Sequence, residues 1–112
     1  MSKAIHTNNA PEAIGPYSQA IVSGGLVFTS GQIAINPKTG NVDAQTIEEQ
    51  TKQVCENLAE VLKAAGSSLE KVVKTVCFLR NMDDFAAFNA VFHRKTRALL
   101  RCGKGASEKC SC

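Results

Sequence analysis

The sequence predicts an α+β domain, and three observations predict it. A run rich in β-branched and aromatic residues, Leu26-Val27-Phe28-Thr29, follows a glycine pair and ends in Ser30-Gly31-Gln32. From Thr46 to Gly66, apolar residues recur every three to four positions. A second β-rich run, Val72–Leu79, leads into spaced Phe85, Phe88 and Phe92. Strand faces repeat with period two and helix faces with period 3.6, so a chain carrying both patterns builds a sheet covered by helices.

Composition bounds the possibilities. A length of 112 residues suits one domain, and 44% hydrophobic residues give a globular core rather than a disordered chain. No apolar run approaches the roughly 20 residues of a membrane span. The start, Met1-Ser2-Lys3-Ala4-Ile5-His6, lacks an apolar signal core. That points to the cytoplasm, where the five cysteines are expected to stay mostly reduced. The net charge of +3 is uneven: residues 1–92 carry −2 and residues 93–112 carry +5. The division expected is therefore a domain over 1–92 and a divergent, basic, cysteine-containing tail over 93–112.

Each element has its own signals. Lys3-Ala4-Ile5-His6 reads as a short first strand, and Asn8-Asn9-Ala10-Pro11 as a turn. Gly15-Pro16 forces an irregular backbone just before Tyr17. Tyr17, the only tyrosine, either donates its phenol to a ligand at a strand start or packs with its hydroxyl satisfied by backbone. Ser18–Val22 reads as a second strand. Ser23-Gly24-Gly25 is a hairpin turn, because adjacent glycines supply the positive φ it needs. The run beginning at Leu26 returns antiparallel and is read as a buried strand. At its end, Gly31 either holds a backbone geometry closed to larger residues, forming a pocket wall, or marks a bulge. Asn36–Asn41 is a second turn.

Thr46 and Glu49 form a capping box at the start of a helix. Ile47, Thr51, Val54, Leu58, Val61, Leu62 and Ala65 give it one apolar stripe. Gly66 ends it. Cys55, within the helix, reads as a small packing residue. Val72–Leu79 is apolar enough to be read as an interior strand. Asn81-Met82-Asp83-Asp84 caps a second helix, with Phe85, Phe88 and Phe92 on one face. Asn89 sits among these aromatics and needs partners, either backbone or a ligand. His93 to Arg101 is read as able to extend the helix. Cys102 to Cys112 shows neither period nor core residues, and its cysteines are a weak zinc signal. There is no phosphate loop, HExxH, Gly-x-Ser-x-Gly or Cys-x-x-Cys.

Several motifs in order resemble one family. Ile14-Gly15-Pro16-Tyr17-Ser18-Gln19-Ala20, Phe28–Ile33, Asn36-Pro37-Lys38-Thr39-Gly40, Glu49-Gln50-Thr51, Asn57-Leu58, Val73–Leu79 and Met82–Phe85 closely resemble the RidA (YjgF/YER057c/UK114) family of reactive-intermediate deaminases. The match runs from about residue 3 to 92. The resemblance implies a single mixed, mostly antiparallel sheet with two helices on one face (the chorismate-mutase-like RidA fold). It also implies a homotrimer with clefts between subunits. The implied activity is cofactor-free hydrolysis of enamines and imines, such as 2-aminoacrylate, to 2-keto acids and ammonia. Carried over, Tyr17 is the catalytic position, and Ser30, Gly31 and Asn89 bind substrate; no metal is implied. Two other readings are a non-catalytic trimer that holds small carboxylates and an RNA-directed translation inhibitor or ribonuclease. The −2 charge of the body disfavours the latter.

The tail departs from the family. The Pro-Ala-Arg-Ser-Cys-Val segment, whose arginine clamps the substrate carboxylate, is missing, as is a closing strand with its glutamate. One choice of codons for Lys-Pro-Ala-Arg-Ser-Cys-Val-Ala (AAA CCC GCG CGC TCT TGC GTT GCG), read from its third base, gives Thr-Arg-Ala-Leu-Leu-Arg-Cys, which is Thr96 to Cys102. Residues from about 93 are therefore expected to be the family's ending translated out of frame. The consequences expected are impaired turnover, low stability and a poorly ordered tail.

Overall fold

A computed structural model describes residues 2–95 in full and the backbone of residues 99–104. The elements in order are β1 (Lys3–Ile5), β2 (Ala20–Ser23), β3 (Leu26–Thr29), α1 (Ile47–Ala64), β4 (Lys74–Leu79), α2 (Phe85–Lys95) and β5 (Leu99–Lys104). The class is α+β, with two helices and antiparallel pairing in the larger sheet. No helix of the described residues is long and apolar enough to cross a membrane.

The β2–β3 hairpin forms where the glycine pair predicts it. Gly24 and Gly25 both take positive φ, at 59° and 77°, which is the two-residue turn whose twist matches that of its strands. Ser23 faces Leu26, and Ile21 faces Phe28. β1 pairs with the other edge of β2 and sets Ile5 opposite Ala20. β4 and β5 run parallel, with Lys74 opposite Leu99 and Cys77 opposite Cys102. Parallel strands need a long crossover, and α2 supplies it.

Helix α1 holds the two sheets together. Thr46 caps it, its hydroxyl accepting from the Glu49 N–H at 3.2 Å. The reciprocal half of the box differs from expectation: the Glu49 carboxylate takes the Gln45 N–H, at 3.4 Å. At the other end Gly66 adopts φ 80°. The Ser67 N–H reaches Leu62 O and the Gly66 N–H reaches Lys63 O, closing a Schellman motif. Gly66→Ala forces a Cβ into left-handed backbone and is expected to cost about 1 kcal/mol, read as a lower urea midpoint at unchanged slope. The apolar stripe buries Val54, Cys55, Leu58, Val61 and Leu62. Val61 packs with Ile5 and Ala20 under the first sheet. Cys55 packs with Cys77, Leu79, Phe88 and Phe92 under the second. Cys55 is thus the small core residue expected.

Several expectations change. β3 is not a buried strand: Leu26 and Phe28 are exposed, Phe28 by 58%, and only Val27 turns toward the core. β4 is not interior either. Its side chains alternate, with Cys77 and Leu79 buried against the helices and Val76 and Phe78 exposed. The reason is common to both: the helices cover one face of each sheet and leave the other open. Phe88 and Phe92 stack at 5.0 Å in the core, whereas Phe85 stays exposed. Cys77, expected as a thiol, is disulfide-bonded, and Cys55 is a buried thiol outside any disulfide. Leu99–Lys104 forms β5 by pairing with β4, which corrects the helical extension read through Arg101 and the patternless segment read from Cys102. The disorder expected of the tail beyond residue 104 lies outside the described residues.

Among the described residues no strand pairing joins β3 to β4. One sheet holds β1-β2-β3 and the other β4-β5. A groove of about 560 Å³ separates them, walled by β3 and β4 and floored by Leu58, Leu62 and Phe92.

Candidate functional site

The expected site begins at a bend. Gly15 takes φ 129°, and Pro16 holds the φ that a three-residue turn needs. The Tyr17 N–H closes that turn on Gly15 O at 2.9 Å. The phenol folds back, and its oxygen accepts from the Ile14 N–H at 3.4 Å. Tyr17 remains 50% exposed. Of the two readings the sequence left open, the backbone contact is present, but the ring is not packed away.

The residues after Tyr17 are sewn to the end of β3. The Ser30 N–H donates to Gln19 O at 2.9 Å, and the Ser30 hydroxyl donates to Ser18 O. Tyr17, Ser18, Ser30 and Gly31 therefore share the end of the hairpin opposite its glycine turn. Gly31 is not in the left-handed region, unlike Gly15, Gly24, Gly25, Gly40 and Gly66. The expectation that it holds a backbone forbidden to larger residues is thus corrected: β3 simply ends before it. A Cβ there would meet no atom within 4 Å, so what Gly31 offers is open approach to the main chain. Gly31 also lines the groove between β3 and β4.

Asn89 stands apart. It is half-buried on α2. Among the described residues it makes no side-chain hydrogen bond to Tyr17 or Ser30 and does not line the groove.

Two buried amides that the sequence did not single out hold this end of the molecule in place. Gln19 is buried; its Oε1 accepts from the Thr7 N–H at 2.7 Å, and its Nε2 donates to Thr7 O at 3.1 Å and Pro11 O at 2.8 Å. This pins the loop before Tyr17 to the start of β2. Asn57 donates to Ile33 O and Ile35 O at 3.0 and 2.9 Å and accepts from Gln53 at 2.9 Å. It fixes the segment after Gly31 onto α1. The signal was present as a polar residue inside the buried stripe, next to Leu58.

Residues 7–102 match the Endoribonuclease L-PSP family. The chain belongs to this family. A RutC family protein of Pyrococcus horikoshii is 50% identical over 92 residues, covering 82% of this chain and 73% of the relative. The 2-iminobutanoate/2-iminopropanoate deaminase of Escherichia coli is 46% identical over 92 residues, or 82% and 71% of the two chains. Among solved L-PSP structures, the E. coli YjgF gene product superposes with a TM-score of 0.89 at 37% identity, covering 97% of this chain and 93% of that one. E. coli TdcF with bound serine gives 0.89 at 35% identity, with the same coverage. The RidA resemblance read from Gly15-Pro16-Tyr17 and the other motifs is thereby confirmed at the level of family and fold.

Proposed function

We propose that this L-PSP protein recognises small 2-imino and 2-keto carboxylates at the Tyr17–Ser30–Gly31 end of the hairpin and hydrolyses enamines and imines slowly. The observation that carries the reading is the junction itself: an exposed phenol beside an open main chain, in a chain 46% identical to an imine deaminase. The chemistry asks little of a protein. An enamine tautomerises to the imine, and water adds to its electrophilic carbon. The C–N bond then breaks, releasing ammonia and leaving a 2-keto acid. Holding one water against that carbon supplies most of the acceleration, since orientation removes an entropic barrier. In this reading the Tyr17 O–H orients it, and the main chain at Gly31, where a Cβ would meet no atom within 4 Å, receives the carboxylate. Asn89 joins this cleft from α2 of an adjoining subunit.

Turnover is slow because residues 93–112 lack the Pro-Ala-Arg-Ser-Cys-Val segment. A guanidinium grips a planar carboxylate with two charge-assisted hydrogen bonds, and no such clamp stands at the junction among the described residues. The chain works without a cofactor, in the cytoplasm, as a homotrimer. Support for the assembly is the exposure of Leu26 and Phe28 on β3 and of Val76 and Phe78 on β4, which line the groove between the two sheets. Exposed apolar residues grouped in this way mark an interaction surface.

Light scattering on the purified chain is expected to give three times the 11.9 kDa chain mass, and Phe28→Asp with Phe78→Asp is expected to give monomer. Titration with 2-oxobutanoate is expected to show saturable binding that is lost with the trimer. A parent chain that is monomeric and still binds the keto acid contradicts the intersubunit cleft. No binding by a trimeric parent contradicts the recognition.

A further inference from the structure

The loop between β1 and β2 is shaped by one side chain. β1 and β2 pair through Lys3–Val22 and Ile5–Ala20, a register that would next set Thr7 opposite Ser18. The ladder has ended there, and the Ser18 carbonyl accepts from the Ser30 hydroxyl instead. The Gln19 amide takes its place. It accepts from the Thr7 N–H at 2.7 Å and donates to Thr7 O at 3.1 Å, as the peptide group of a neighbouring strand does. Its Nε2 also donates to Pro11 O at 2.8 Å and reaches Ala10 O at 3.5 Å. A primary amide has two N–H donors and one acceptor oxygen, so the loop engages all of them. Ala10 is itself packed in the core with Ile5, Ala20 and Val61.

The phenol of Tyr17 is seated on the far end of the same loop. Gln19 fixes Pro11 O, and three residues later the Ile14 N–H donates to Tyr17 Oη at 3.4 Å. The ring lies over Gly15, where a Cβ would stand 3.8 Å from its Cδ2 and Cε2. Ile14 and Tyr17 are both exposed, so the ring rests on this turn and not on the core. The turn is tethered on its C-terminal side by β2 and on its N-terminal side by Gln19 through Pro11. The Gln19 carbonyl meanwhile accepts from the Ser30 N–H at 2.9 Å. One residue thus holds both halves of the junction. Its side chain holds the loop that carries the phenol, and its backbone holds the end of β3.

We propose that Gln19 is the positioning residue for Tyr17. Its amide fixes the loop from Thr7 to Pro11, the loop fixes Ile14, and the Ile14 N–H sets where the phenol stands relative to the Ser30–Gly31 backbone. The proposal rests on the reading of Tyr17 as the group that orients water; Gln19 itself touches no substrate. Methionine in its place fills similar space without the hydrogen bonds. The loop then loses the bonds to Thr7 and Pro11, the ring samples more orientations, and only some of them hold water against the imine carbon. A misplacement of about 1 Å from a distant change costs up to roughly 100-fold in rate, so a ring in place for part of the time is expected to cost about tenfold.

The test uses the full chain. Tyr17 is the only tyrosine and there is no tryptophan, so tyrosine emission reports this ring alone. Time-resolved anisotropy is expected to show a larger amplitude of fast ring motion in Gln19→Met than in the parent. Ammonia release from enzymatically generated 2-aminoacrylate is expected to fall about tenfold, while the Kd for 2-oxobutanoate changes by less than about threefold, because orientation of water is lost and ground-state binding is not. A glycine inserted between Glu12 and Ala13 leaves Gln19 and its bonds in place but lengthens the chain between Pro11 and Ile14. It is expected to loosen the ring in the same way at a melting temperature near the parent's, and it decides the question if Gln19→Met does not fold. The proposal is overturned if folded Gln19→Met, or the insertion, keeps the parent's anisotropy. A loosened ring with unchanged turnover overturns it equally. The anisotropy needs no substrate, so a parent that releases no ammonia counts against the proposed function and not against the hold of Gln19 on the ring.

Discussion

Replacing Asn57 by alanine is expected to lower the unfolding free energy by about 2–4 kcal/mol, because it strips two part-buried carbonyls of their donor and leaves a small cavity. Asn57 is 1% exposed. Its amide bridges Ile33 O and Ile35 O, so alanine takes that donor from both part-buried acceptors. For a domain of this size that is a fall in melting temperature of roughly 10–20 °C. Gln53→Ala removes only the half-buried donor to Asn57 and is expected to cost about 1 kcal/mol or less. Thermal unfolding followed by circular dichroism checks both. An Asn57→Ala chain that melts with its parent would mean the segment after Gly31 is held by something else.

Replacing residues 96–102 by Lys-Pro-Ala-Arg-Ser-Cys-Val is expected to raise imine hydrolysis by about 10–100-fold. A charge-assisted pair on a carboxylate is worth roughly 1.5–3 kcal/mol, and each 1.4 kcal/mol or so is about tenfold in rate. The same replacement with glutamine in place of its arginine keeps the segment and removes the charge, so it is expected to show no gain. Equal rates for the two segments would remove the carboxylate clamp from the account. The coding DNA gives a second check. Codons for Thr96–Cys102 that yield Lys-Pro-Ala-Arg-Ser-Cys-Val in another frame support the frameshift, and codons with no family-like alternative end it.

Local chemistry made much of this fold legible. The glycine pair at 24 and 25 announces a hairpin, and both residues take the positive φ that it requires. Thr46 and Gly66 bound α1 because capping is decided within a few residues. Exposure was not legible in the same way. Phe28 and Phe78 look like core residues, yet burial depends on whether a second layer covers their face, and that is not a local property. β5 was hidden for a related reason. Leu99–Lys104 becomes a strand by pairing with Lys74–Leu79, and nothing within its own basic composition specifies that. At the candidate site, Gly15-Pro16-Tyr17 and Ser30-Gly31 were visible as motifs. The bonds that join them, from Ser30 to Ser18 and Gln19, depend on the hairpin register. Gly31 shows the limit of residue type as a signal: glycine permits a left-handed backbone without using it.

The central claim is that the hairpin-end cleft persists while its anionic anchor does not. Ammonia release from enzymatically generated 2-aminoacrylate, measured on this chain beside the E. coli deaminase that is 46% identical to it, tests that most directly. The account predicts a kcat/KM about 10–100-fold below the relative's, as expected for losing roughly 1.5–3 kcal/mol of carboxylate binding. A rate equal to the relative's would contradict it.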